Sequence, residues 1–424
     1  MDRSRFVISR DSINGIPFKG KIVNLMCMFY MLLWTLVPAF SVITNRGIFR
    51  ILFAIIFFMW IITAIQNFPK TILFNLIILF GTFFLVLGFY AFLHYGDLNF
   101  NNVINYILLF GFAINGVLYC MIDSRKLDRA ILCFSLMLII LTSFTTITGL
   151  STNINAARLL TSSSTDENVT AILRAQNIGA FDFIYGLVII FPVLICAFKK
   201  SKKTTFKIGI LLATIIIAVC VVKSNFATAL LLIFIGFLLS FISLSNKNVT
   251  GKLIIIIIIA IATSKLFPAF LKFMYSITTS NMMKEKLTGI LSYMNGSENA
   301  EDVTSRVSLF KLSLYSFLHN PILGVGGYYR TSTISYIGKH SQFIDDLARY
   351  GIIGGFPLIS FVIYSIKNST RTKFDKSILN SSFFPSLLLF FLLGFLNPIY
   401  NYGILVCFFI VSTTMSRYID RGSI

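Results

Sequence analysis

The residue types able to do polar chemistry in this 424-residue chain gather between Arg306 and Gly355. Two of its three histidines, His319 and His340, lie there with Arg306, Arg330 and Arg349. Two more arginines, Arg158 and Arg174, sit in an earlier Ser/Thr/Asn-rich stretch. The planar fork of a guanidinium matches phosphate oxygens, and two or three such groups can replace a metal in neutralising a diphosphate leaving group. A neutral imidazole can accept a proton or orient a hydroxyl. The set therefore suits transfer from an anionic phosphate carrier.

Other chemistries lack their residues. There is no Gly-x-x-x-x-Gly-Lys-Ser/Thr phosphate loop, no His-Glu-x-x-His and no paired cysteine motif. Three scattered histidines make a poor zinc site. No Asp-x-Asp occurs to hold a sugar-nucleotide metal, and the adjacent Asp345-Asp346 would point about 100° apart on a helix. The reading is of a site without metal or cofactor.

The elements that must position these residues are membrane helices. The chain is 56% hydrophobic and only 12% charged, with mean hydropathy +0.84, whereas soluble domains carry about 25% charged residues. Apolar runs of about 17–25 residues fit a hydrocarbon core about 30 Å thick. About twelve spans are expected, centred near residues 32, 57, 82, 113, 139, 189, 214, 235, 259, 358, 388 and 406, in one bundle covering 1–424. The basic stretch before residue 22 lacks a signal-peptide core, so the first helix is expected to be an uncleaved anchor. With both termini cytoplasmic, most of the +20 net charge falls on the cytoplasmic side, including the cluster from Lys199 to Lys207. That asymmetry follows the positive-inside rule and reports topology, not a nucleic-acid partner. The six cysteines lie in apolar runs and read as small hydrophobes.

Two connections are long, 150–178 and 269–349, and the same topology puts both outside the cytoplasm. Loops of that length in a compact bundle are functional or disordered, and apolar residues at helical spacing in each favour function. In the longer loop a helix is expected from Glu301-Asp302, whose charges suit a helix start, to about His319, ended by Asn320-Pro321 and Gly324. Arg306 shares a face with Phe310, Ser313 and Phe317, the less polar side; the alternative is an exposed surface arginine. A second short helix is expected near His340. One face carries His340, Phe343, Ile344, Leu347 and Ala348, so His340 points inward; the other carries Ser341, Gln342, Asp345, Asp346 and Arg349. Asp345 and Arg349 stand i,i+4, acid first, and can form a local pair. Gly351, Gly354 and Gly355 would open the next membrane helix. Beside a membrane, these cations point to a lipid-linked diphosphate; lipid headgroup anchoring is the plainer alternative.

Ser-Arg-Val-Ser-Leu-Phe (305–310), His-Asn-Pro-Ile-Leu-Gly-Val-Gly (319–326) and His-Ser-Gln-Phe-Ile-Asp-Asp-Leu-Ala-Arg-Tyr-Gly-Ile-Ile-Gly (340–354) occur in that order before a membrane helix. With Arg-Ala-Gln-Asn-Ile-Gly-Ala-Phe-Asp-Phe-Ile-Tyr (174–185), this resembles O-antigen and capsular polysaccharide polymerases of the Wzy type and, more distantly, O-antigen ligases. The resemblance implies an all-α, GT-C-like, metal-independent glycosyltransferase of the bacterial inner membrane, with its active site outside the cytoplasm. It would move a growing glycan from undecaprenyl diphosphate to the non-reducing end of another lipid-linked repeat unit, for O-antigen in lipopolysaccharide or for capsule. The family's essential arginines and histidine map onto Arg174, Arg306 and His340 as catalytic candidates. Arg158, Arg330, Asn177 and Arg349 form the candidate substrate-binding set. A chain-length regulator protein is an expected partner. His340 is followed by Ser341 where ligases show His-Asn, which favours a polymerase. For His340 the alternative role is a satisfied helix-cap histidine. The rival functions are an O-antigen ligase and a flippase or transporter of lipid-linked oligosaccharide. A transporter needs charged groups near the bilayer midplane, and the expected spans hold almost none.

Overall fold

In hydrocarbon every backbone N–H and C=O must be paired within its own segment, so long apolar runs become helices. A computed structural model of the chain describes residues 18–44, 70–93, 100–121, 125–161, 165–243, 266–278, 280–295, 301–326, 337–369 and 381–420, with scattered residues between 51 and 66. Among these the regular elements are all helices. They run α1 (Phe18–Leu36), α2 (Pro38–Thr44), α3 (Lys70–Leu93), α4 (Phe100–Met121), α5 (Arg125–Thr152), α6 (Ala156–Leu159), α7 (Glu167–Ala175), α8 (Phe181–Lys200), α9 (Thr204–Lys223) and α10 (Ala227–Ser243). Then follow α11 (Leu266–Ile277), α12 (Asn281–Met294), α13 (Glu301–His319), α14 (Gln342–Ser369) and α15 (Phe384–Leu396). The last is α16 (Tyr402–Asp420), whose middle, Cys407–Ser412, is wound as a π-helix.

Among the described residues six helices are long and apolar enough to cross a membrane: α8, α9, α14, α16, and the stretches Lys70–Tyr90 of α3 and Lys126–Thr152 of α5. Shorter apolar helices occupy α11, α15 and parts of α1, α4 and α10. The outward faces carry bare hydrophobics such as Leu85, Phe92 and Phe144, which water would not tolerate in such number but lipid does. The chain is an all-α polytopic membrane protein. Of the expected span centres, residue 259 lies outside the described residues and the stretch around 57 is described only in part. Each of the others falls within one of these helices. α11 overlaps the expected end of the span centred near 259 and runs past 269, where the long loop was expected to begin.

The centre of the bundle is α8, buried from Phe183 through Ala197 and packed against α9, α10, α15 and α16. α8 and α16 touch backbone to backbone. A Cβ on Gly186 would lie 2.7 Å from the Gly403 carbonyl oxygen, and one on Gly403 would lie 2.8 Å from the Asp182 backbone. Glycine at both positions permits the approach. At another point α5 is tied to α16 by a buried ion pair, Asp128–Arg417, at 3.4 Å. Tyr119 donates to Asp128 at 2.8 Å and stacks under the Arg417 guanidinium.

α14 is broken at Gly351, whose φ of 58° and ψ of −162° interrupt the helix. The turn after α13 docks on that break. Ile352 N–H donates to Pro321 O at 2.8 Å, Val325 N–H to Ala348 O at 2.9 Å and Gly326 N–H to Arg349 O at 3.0 Å. Helix-end groups that would be orphaned by the break are thereby satisfied. A Cβ on Gly351 would meet Ile322 O at 2.2 Å. The expected stop of the loop helix at Asn320-Pro321 thus has a second purpose, because the turn fixes α13 against α14.

Candidate active site

Each candidate side chain is set in place by its local sequence. Arg158 lies within the single-turn α6, and its Nε donates to Asn225 O at 3.1 Å. Asn225 forms the turn between α9 and α10, with a left-handed φ of 60°, and its side chain ties back to Ile154 O at 3.1 Å. The Arg158 guanidinium also lies 5.5 Å from the Phe226 ring centre. Arg174 sits exposed in the last turn of α7, a helix started by Asp166 accepting from Asn168 N–H at 2.9 Å. A cation at a helix C-terminus complements the dipole there. Arg306 is half-buried in the second turn of α13, and His340 is half-buried two residues before α14.

Arg158, Arg174, Arg306 and His340 line one cavity of about 930 Å³. Both long connections contribute to it, along with α1, α8 and the turn between α15 and α16. Lys286 of α12 and Lys339 add two more cations, and Asp182 supplies a carboxylate on the α8 wall. Positive charge therefore outweighs negative on the wall, as an anion-binding cavity requires. A second chamber of about 610 Å³ shares Arg158, Lys286, Arg306 and His340 with the first. Its remaining wall is mostly apolar, including Leu231, Phe267, Ile290, Phe310 and Phe395. Cations thus stand where a polar space meets an oily one.

The other expected residues are placed elsewhere. Asn177 is buried with a left-handed φ of 59°. Its amide donates to Thr142 and Thr145 at 3.2 and 3.1 Å, and its oxygen accepts from Ala39 N–H at 3.3 Å. It pins the Arg174 loop to α2 and α5 through these bonds. Arg349 is buried on a smaller pocket, apart from the three cavity arginines. Arg330 lies outside the described residues. His319 is exposed, with its ring against Tyr315 and Nδ1 2.9 Å from the Tyr315 carbonyl oxygen.

The helical wheel of α14 needs one correction. The face bearing Ser341, Gln342, Asp345, Asp346 and Arg349, expected to look away from the interior, is buried throughout. Asp345 accepts from the Ser313 hydroxyl at 2.6 Å and from Ser341 N–H at 3.2 Å, and the charge of Arg349 also acts on it, in keeping with the i,i+4 spacing. Asp346 accepts from Tyr106 at 2.9 Å and from the Gln342 amide at 3.0 and 3.2 Å. Gln342 in turn accepts from Ile399 and Tyr400 N–H at 3.1 and 3.4 Å. A wheel separates polar from apolar faces, but it cannot foresee that polar partners on α4, α13 and the 397–401 turn will cover the polar one.

Sequence reasoning also missed Asp182, Lys286, Lys339 and Asn397. Asp182, a lone acid inside an apolar span, had a usable signal, since such residues are rarely idle. Its carboxylate accepts from Gly403 N–H at 3.3 Å. Asn397 is buried on the cavity wall, where it shares a side-chain hydrogen bond with Tyr185. Lys286 sits in a Lys-Glu-Lys run that reads as an ordinary wet helix face.

Residues 212–359 match the family described as O-antigen ligase. The match supports an O-antigen polymerase/ligase superfamily assignment. It runs from within α9 to within α14, and so carries Lys286, Arg306, Lys339 and His340 but neither Arg158 nor Arg174. The superfamily implies a glycosyltransferase-like or ligase activity, with lipid-linked polysaccharide as substrate in a multi-pass inner-membrane protein. Comparisons with curated proteins and with solved structures gave no match.

Proposed function

We propose that the protein is a metal-independent polysaccharide polymerase acting on the outer face of the cytoplasmic membrane, with both termini in the cytoplasm. The observation that carries this reading is the shared wall of the two chambers. Arg158, Arg306 and His340 border both the cation-lined cavity and its apolar neighbour. That arrangement suits an amphiphile with an anionic head, such as a glycan on undecaprenyl diphosphate. The arginines neutralise the diphosphate as a hydroxyl at the non-reducing end of an acceptor repeat unit attacks the donor's anomeric carbon. The new glycosidic C–O bond forms as the old C–O bond to phosphate breaks. Undecaprenyl diphosphate leaves with the electron pair, and the hydroxyl proton passes to His340 and then to water. Removing one donor to a developing anion costs about 3 kcal/mol, or two to three decades of rate. Two substrates meeting in one cavity supply a further advantage through proximity. A separate chain-length regulator sets when extension stops.

The family description favours a second reading, an O-antigen ligase whose acceptor is the lipid A core. Gene deletion followed by surface-glycan sizing separates the two. A single repeat unit left on the core, with the polymer ladder lost, is the polymerase outcome. Long lipid-linked polymer that accumulates unattached is the ligase outcome, and single repeats held inside the cell would indicate a flippase. Arg306→Ala, Arg174→Ala and His340→Ala, each present in the membrane at normal levels, should abolish extension of a defined lipid-linked repeat. Full activity in any one of them removes that residue from the mechanism.

A further inference from the structure

We infer that Lys286 binds the lipid-side phosphate of the donor at the mouth of the apolar chamber, while Arg174 faces the sugar-side phosphate. The inference rests on the lipid-linked diphosphate donor of the reading above. On the wheel of α12, Met283, Leu287 and Ile290 share one side, and Met283 and Leu287 are buried. Lys286 stands on that same side, three residues after Met283 and four before Ile290, and is half-buried. Its neighbours turn elsewhere: Lys284 lies over the Tyr275 ring at 5.6 Å, and Glu285 is exposed. Of this Lys-Glu-Lys run only Lys286 lines the two connected spaces. A lysine on the apolar side of a helix is tolerable when its charged end reaches a polar space or an opposite charge.

Arg158, Lys286 and Arg306 all reach the mostly apolar chamber, and no acidic residue is among the described residues that line it. The charges of Arg306 and Arg158 also act together on the Tyr185 hydroxyl, whose side chain borders both spaces. Like charges gathered around a weakly polar space repel one another and favour an anion there. The lining also sorts the two phosphates. α12 lines the chamber with Lys286 and Ile290 but the polar cavity with Lys286 alone, so this cation comes to the border from the oily side. Arg174 lines only the polar cavity, where its charge acts on Asp182. A donor with its lipid tail in the chamber and its glycan in the polar cavity therefore sets the lipid-side phosphate beside Lys286. The bond that breaks joins the sugar to the other phosphate, and new charge appears on that one. The lipid-side phosphate keeps its bonds and its charge throughout. A cation on it binds substrate and transition state alike, which lowers KM without raising kcat.

The test uses the full chain in phosphatidylcholine nanodiscs, with undecaprenyl phosphate as a probe that carries only the lipid-side phosphate. Native mass spectrometry reads its binding. Lys286→Gln should weaken that binding about tenfold, as expected for one charge-assisted hydrogen bond, and raise KM for the lipid-linked repeat with kcat unchanged. Lys286→Arg should restore both. Arg174→Ala should leave probe binding at the wild-type level and lower kcat. Lys284→Gln, on the same helix, should change neither. Should the glutamine variant fail to fold, Lys286→Met, better suited to an apolar face, replaces it. Wild-type probe binding in the folded, uncharged variant overturns the assignment, as does a fall in kcat with KM unchanged. Wild-type protein that holds phosphatidylglycerol as tightly as the probe also overturns it, because Lys286 would then be an ordinary headgroup anchor. If probe binding responds as expected but the wild-type protein extends no lipid-linked repeat, the polymerase reading fails and the Lys286 site stands.

Discussion

Replacing Gln342 with glutamate changes almost no volume and should nevertheless unsettle the site. The side-chain oxygen accepts from Ile399 and Tyr400 N–H, which glutamate would still permit, but the amide nitrogen donates to both oxygens of Asp346. Glutamate puts a second carboxylate about 3.0 Å from the first. Two unit charges at that distance repel by roughly 5 kcal/mol at an effective dielectric of 20. A hydrogen bond to a charged group worth about 1.5–3 kcal/mol is lost as well. Taking up one shared proton relieves part of this, so the net destabilisation at neutral pH should be about 3–6 kcal/mol. Gln342→Leu leaves two backbone N–H groups and a carboxylate short of partners, at about 1–3 kcal/mol each, and should cost a similar amount. The two variants should part in acid. A proton restores the missing donor in the glutamate variant, so its deficit nearly vanishes as pH falls, whereas in the leucine variant protonation relieves only Asp346 and the two backbone N–H groups stay unpaired. Thermal unfolding in nanodiscs between pH 5 and 8 reads both effects, and chain extension reports the turn that Gln342 holds. A glutamate variant that melts with wild type at pH 7.5, or whose deficit ignores pH, refutes the argument.

Three other perturbations have definite expected outcomes. Gly351→Ala forces a left-handed residue at about 1–2 kcal/mol and drives a Cβ to 2.2 Å from Ile322 O; its melting temperature should fall, and an unchanged one would show that the docked turn yields freely. Asp128→Asn leaves the buried Arg417 guanidinium without its carboxylate, a loss of about 3–5 kcal/mol. Adding Arg417→Met should restore much of that stability, as measured by denaturant unfolding of the paired variants. Asn177→Ala removes the ties to Thr142, Thr145 and Ala39, at about 1 kcal/mol each. Loosening the Arg174 loop in this way should raise KM for the lipid-linked donor more than it lowers kcat, and steady-state kinetics check the split.

Much of the helical framework was legible because it rests on local rules. The helix from Glu301 to His319 has the expected ends, since acidic residues start it and Asn320-Pro321 stops it. The meeting of Arg174 with Arg306 could be reached only by adding the two loops together; both line the large cavity. Partner-dependent roles were not legible. Asn177 stood in the expected substrate-binding set, and only the structure shows that its left-handed backbone and three partners fasten the Arg174 loop. Gln342 and Asp346 stood on the face opposite His340 with no visible partner, because Tyr106 and the 397–401 turn are more than fifty residues away in sequence.

The contact between Gly186 and Gly403 has a consequence for how substrates come and go. With α8 and α16 in backbone contact, and Asp182 bonded to Gly403, neither helix can shift alone without opening a gap or forcing a clash. That side of the cavity behaves as an anvil. Exchange of a bulky lipid-linked chain must then be accommodated by the other elements of the wall, where α6, α7 and α13 carry Arg158, Arg174 and Arg306. The half that grips phosphate is thus also the half that must let it go, and the tightness of that grip would set the pace of turnover.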